Sequence, residues 1–166
     1  MTAAYAADSW TDFAVAVATA AATLAGLVFV AVSINLRQIL SFPNLPARAG
    51  QTLVLFSTPL IAGLFLVVPG QARAAVASEL LVTGIAVGAV QVRIGAWQPR
   101  SEQETPVTRV VMRVFPTAAS CGCLVIAGAT LFAQAGGGLF WFVPSALVAI
   151  IFGLLNAWVL LVEILR

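Results

Sequence analysis

Residues 13–36 read FAVAVATAAATLAGLVFVAVSINL, a run without a single charge. A helix rises about 1.5 Å per residue, so about 20 apolar residues cross the roughly 30 Å hydrocarbon core of a bilayer. This run is long enough. Four more follow at 52–69, 74–97, 110–135 and 139–165, the fourth becoming apolar from Val114. They are continuous, whereas barrel strands would show alternating segments of about 10 residues. Hydrophobic residues make up 61% of the 166 residues and charged residues 8%, too few charges to coat a soluble globule. The expectation is an all-α, polytopic transmembrane bundle of five spans, forming one domain over 1–166.

Local chemistry marks the boundaries. Ser9-Trp10-Thr11-Asp12 predicts a capping box before the first span. Ser41-Phe42-Pro43-Asn44-Leu45-Pro46 predicts a non-helical connection, and Thr105-Pro106 an N-cap with proline at the first helical position. Gly136-Gly137-Gly138 predicts a tight turn. Pro59, inside the second span, predicts a kink or a break. The first span lacks a basic leading segment and a small-residue cleavage site, so it reads as a retained helix rather than a signal.

Charge placement predicts orientation. All eight basic residues are Arg. With sides alternating, one face receives seven (Arg37, Arg48, Arg93, Arg100, Arg109, Arg113, Arg166) and the other only Arg73. The positive-inside rule then sets the N-terminus outside and the C-terminus in the cytoplasm of a bacterial plasma (inner) membrane. Trp10, Trp97, Trp141 and Trp158 fall near the expected interfaces.

The chain has neither His nor Lys. That excludes a retinal Schiff base, a P-loop lysine, a histidine-ligated haem, a mixed Cys/His zinc site and a Ser-His-Asp triad. Cys121 and Cys123 read as small core residues at a helix interface, with a redox pair or half a soft-metal site as the alternative. No metal, cofactor or catalytic residue is expected. A net charge of +2 gives no footing for nucleic acid. The only carboxylates inside the expected spans, Glu79 and Glu163, are predicted on opposite sides, so an enzyme is not expected.

In lipid, helices associate by close packing rather than by apolar burial. Small residues recur at Ala14, Ala18, Ala22 and Gly26, at Gly84 and Gly88, and at Ala118 and Gly122. These predict packing faces on the first, third and fourth spans.

Sorting polar residues by depth collects Asn35, Gln91, Arg93, Asn156 and Arg113, with Thr117 and Ser120, in the cytoplasmic half. Glu79, Gln134 and Ser145 fall in the outer half. The inner set predicts a polar layer with an Arg-rich mouth, suited to anions or anionic lipid head groups. The competing reading is snorkelling Arg with Asn and Ser joining helices.

The stretch Ala21–Leu36 with Arg37, Pro46 and Arg48 resembles small actinobacterial multi-pass proteins of unknown function, over about the first 70 residues. The resemblance implies a plasma-membrane protein and no activity. Two functions are expected. One is an oligomeric channel or transport protein, a homo-oligomer with a pore lined by the first or third span. The other is a non-catalytic scaffold or accessory subunit that binds another membrane protein through the small faces.

Overall fold

A computed structural model of the chain describes residues 3–42, 45–96 and 114–164. The described residues hold six α-helices: α1 (Thr11–Ile34), α2 (Leu36–Ser41), α3 (Leu45–Val67), α4 (Arg73–Ala96), α5 (Phe115–Ala133) and α6 (Phe142–Ile164). Short 3₁₀ turns at Ala3–Tyr5, Ala7–Trp10 and Gly138–Trp141 complete the regular structure. The five longer helices are long and apolar enough to cross a membrane. The expected Thr105-Pro106 cap, Trp97, Arg100, Arg109, Arg113 and Arg166 lie outside the described residues.

Helix α3 is central, packing on α1, α4 and α6, while α5 packs on α4 and α6. Neighbours run antiparallel. The start of α1 meets the end of α3, where a side chain at Gly63 would strike Ala14 O and Ala18. Further along, Val28 joins Phe56 and Ala157, and beyond them Ile39, Leu45, Ala49 and Leu160 close a second cluster. The largest cluster holds Trp10, Ala14, Ala62, Leu66, Leu80, Leu124, Leu131, Leu139 and Phe142.

Several local expectations need correction. The helix α1 opens without a capping box: its N-cap is Trp10, with no side-chain cap, and the Thr11 hydroxyl donates backward to Asp8 O at 3.1 Å. Of the segment read as a connection, Ser41 still belongs to α2, and Leu45 and Pro46 already belong to α3. Proline in a first turn costs nothing, because the N–H it lacks has no helical acceptor there. Nor does Pro59 end the helix; α3 passes through it as one element with Pro59 buried. The hydroxyls of Ser57 and Thr58 bond to Leu53 O and Val54 O on the same turn. The carbonyl that loses its helical donor to Pro59 is Leu55 O, one residue beyond these two acceptors. The first span, expected to run to Leu36, stops at Ile34. Asn35 breaks it (φ −104°, ψ 19°), with both its backbone N–H and its side-chain Nδ2 on Ala31 O.

One end of the bundle is closed by two segments. The glycines at 136, 137 and 138 all take positive φ, 86°, 109° and 52°, and turn the chain back against α5. Gly138 lies where any Cβ would strike Ala4 O and the Tyr5 ring. The Tyr5 hydroxyl accepts from Gly137 N at 3.4 Å, and Trp10 Nε1 donates to Ala3 O at 2.8 Å. Edge-to-face contacts link Phe140 to Trp10, Trp10 to Phe13, and Phe13 to Phe142. These rings and Leu139 plug the end between α1 and α6.

Candidate functional site

The expected polar layer does not assemble as one surface among the described residues. Gln91 is 4% exposed and sealed between α3 and α4, where its Nε2 donates to Gln51 O at 3.1 Å. Its Oε1 is buried without a partner. Arg93, two residues on, is exposed on another face of α4. Positions two apart on a helix point about 200° away from each other, so Gln91 and Arg93 cannot line one path within the chain. Asn35 is half-buried and spends its amide on its own helix. Asn156 is half-buried on α6. Arg113 lies outside the described residues.

The glycine positions divide in the same way. Gly84 is a true close approach: a Cβ there would sit 2.8 Å from Val125 Cγ2 and 3.1 Å from Cys121 O. Gly88 has ordinary contact room beside Cys121, whose Cβ would lie 3.7 Å away. Ala18 is buried against Gly63. By contrast Ala22 is exposed, and at Gly26 and Gly122 nothing lies within 4 Å of an added Cβ. The four-residue stripe of α1 is therefore not one contact face within the chain. The buried set Ala14, Val17, Ala18, Ala21 and Val28 follows α3 as the two helices cross. The contacts missed in the sequence are Gly63, Gly128 and Gly153. Gly128 meets Ala77 O and Leu81, and Gly153 faces the Phe56 ring.

Two polar assemblies emerge that depth sorting separated or overlooked. Ser120 of α5 and Ser145 of α6 are fully buried and bond reciprocally. Ser145 Oγ donates to Ser120 O at 2.7 Å, and Ser120 Oγ to Ser145 O at 3.1 Å. Sequence depth put them in opposite halves. They meet because residues 136–141 fold back along α5 before α6 begins.

The second assembly joins α4 to the closed end. Gln71, just before α4, donates through Nε2 to Glu79 Oε1 at 2.6 Å. The Arg73 guanidinium donates to Gln134 once that amide turns its oxygen to the cation, the orientation that matches donors to acceptors. Gln134 caps α5 in the left-handed region (φ 53°), so a cation at this helix C-terminus also meets the negative end of the dipole. A lone acid in an apolar span is a signal that it needs a partner; the spacing to Gln71 gave none.

Cys121 is buried at the α4–α5 contact and Cys123 half-buried, both as free thiols. No group of three His, Cys, Asp or Glu side chains gathers among the described residues. No family model, curated protein or solved structure matches the chain.

Proposed function

We propose that this chain is a multi-pass membrane protein that works by helix association in lipid, with the outward face of α1 as its docking surface and a second copy as the first occupant. The observation that carries this is the composition of that face. Helix α1 is the least buried of the five long helices. Between exposed Val15 and exposed Leu27 its outward positions are all small, Ala16, Thr19, Ala20, Ala22, Thr23 and Gly26. The Thr23 hydroxyl is turned back onto Thr19 O at 2.8 Å, so it bonds within its own helix. A bulky, greasy surface suffices against lipid; a flat small one lets another backbone approach. Two copies of one such face are self-complementary about a two-fold axis. Gly26→Leu should abolish association in lipid nanodiscs, while Ala129→Leu on the exposed side of α5 should not. Undiminished self-association in Gly26→Leu would sink this reading, and capture of a different membrane protein through the same face would favour the accessory-subunit form of it.

The same reading seats the chain in a bacterial inner membrane with its N-terminus outside and its Arg-bearing face toward anionic head groups in the cytoplasm. A cysteine at Gly70 should label from outside intact cells and one at Ser101 should not; the reverse pattern overturns the orientation. An oligomeric channel is the second reading. It draws support from Arg37 and Arg93, both exposed on the outside of the bundle, where neighbouring copies could bring them to a shared mouth. It requires flux through reconstituted protein that falls in Arg93→Ala without loss of assembly.

A further inference from the structure

We propose that Gln91 heads a small binding site, acquired by the second of two like helical hairpins, for a hydrogen-bond donor of a few heavy atoms. The likeness of α1–α3 to α4–α5 lies in their contacts. A Cβ at Gly63 would strike Ala14 O and Ala18 of α1, and one at Gly128 would strike Ala77 O and Leu81 of α4. Each glycine ends the same triplet, Ile61-Ala62-Gly63 and Ile126-Ala127-Gly128. The shift of 65 from Gly63 to Gly128 carries buried Leu55, Phe56, Pro59, Ala62 and Leu66 onto buried Ser120, Cys121, Leu124, Ala127 and Leu131. The shift of 63 from Ala14 to Ala77 carries buried Val17, Ala21 and Val28 onto buried Leu80, Gly84 and Gln91. Gln91 therefore stands where the first hairpin packs a valine.

The two hairpins part around that residue. In the first, Ala25, Val28 and Val32 join one apolar cluster with Leu24, Leu53, Phe56 and Ala157. The same shift lands these three on Gly88, Gln91 and Gly95. Positions three and four apart share a helix face, so the second hairpin omits an apolar side chain on each side of an amide. Close packing does not demand these glycines. The nearest atom to an added Cβ is Cys121 Cβ at 3.7 Å for Gly88 and Gln51 Nε2 at 3.8 Å for Gly95, whereas Gly84 and Gly128 press on backbone.

The amide between them is half satisfied. Gln91 Nε2 donates to Gln51 O at 3.1 Å across the α3–α4 seam, and its Oε1, buried in the same side chain, has no partner. A buried acceptor without a donor destabilises the fold, and packing alone would be served by valine, as it is at Val28. The donor comes from a guest. One neutral oxygen suits an O–H or N–H group rather than a metal cation, which needs several oxygens. Gly95, one turn nearer the end of α4, is exposed, so the guest enters from that end. The two glycines omit only the side chains of an alanine and a valine, which limits the guest to water or a small uncharged solute. This inference stands independently of the α1 docking face.

Side-chain amide NMR of the full chain in lipid nanodiscs, with nitrogen-labelled glutamine and the Gln91 signals assigned through its backbone, tests this. Cross-relaxation of those signals with a bound water assigns the guest as water. A saturable shift on titration with ethylene glycol assigns it as a solute, and either result supports the site. Gly95→Val restores the side chain of the first hairpin and should abolish the response while the Gln91 signals remain. Should Gly95→Val fail to fold, Gly88→Ala takes its place, since its methyl has ordinary contact room beside Cys121. Gln91 signals that answer neither to water nor to ethylene glycol, or a response unchanged in the filled variant, overturn the proposal.

Discussion

Gly122 and Gly128 lie six residues apart on α5, yet alanine at the two positions should shift stability in opposite directions. At Gly128 an added Cβ would sit 2.7 Å from Ala77 O and 3.0 Å from Leu81 N on α4. Both obstacles are backbone, so no rotamer change relieves them and the helices must separate. Overpacking of this kind costs about 1–3 kcal/mol. At Gly122 nothing lies within 4 Å. There alanine only restricts the unfolded chain and improves helix propensity, worth about 0.4–1 kcal/mol of stabilisation. The two variants should therefore differ by about 1.5–4 kcal/mol, which is roughly tenfold to several hundred-fold in the unfolding constant. Reversible unfolding in mixed micelles, read by circular dichroism or by steric trapping, measures it. Equal effects at the two sites, or a destabilised Gly122→Ala beside a neutral Gly128→Ala, would refute the α4–α5 packing described above.

Further outcomes follow from the same geometry. Ser120→Ala and Ser145→Ala should each cost about 0.6 kcal/mol, the usual scale of an interhelical hydrogen bond in a membrane protein, and the double variant should cost about their sum, because each hydroxyl donates to the other residue's backbone carbonyl, which truncation leaves in place; two neutral single variants in reversible unfolding would mean the two serines do not bond. Gly138→Ala should disrupt the closed end, because its φ of 52° and the Ala4 carbonyl both reject a side chain; loss of protection at Trp10 in hydrogen exchange reads it, and unchanged protection counts against the fold-back. Gly63→Leu should separate α1 from α3 and destabilise the chain, whereas Gly26→Leu should alter association alone; folding loss in Gly26→Leu would show that this face is internal.

Much of the fold was legible in the chain itself. Five uninterrupted apolar runs fix five helices, because lipid leaves a backbone no other way to pair its polar groups than helix or closed barrel. The glycine triplet marked the turn before α6. Proline was the less reliable sign. Pro46 and Pro59 both lie within α3, the one in the first turn where no N–H was needed and the other in mid-helix, where the lost bond does not end the element.

The packing face was the part that spacing could not settle. A helix that is apolar all round carries no moment to say which side turns inward. Spacing picked out Gly26 and Gly122, which stand in open space, and passed over Gly63, Gly128 and Gly153, which let neighbours touch. Polar positions suffered likewise. Depth counted along the sequence assumes every connection lies outside the bundle, and residues 136–141 fold back along it.

The sequence alone thus determined the apolar, helical character of the chain and the number of helices long enough to cross a membrane, since each depends on local composition. The tertiary structure decided which small residues meet, that Ser120 finds Ser145 and that Gln71 finds Glu79. Those pairings depend on helix rotation, crossing and stagger, which are set by the fit of several surfaces at once and leave no periodic trace in any one of them.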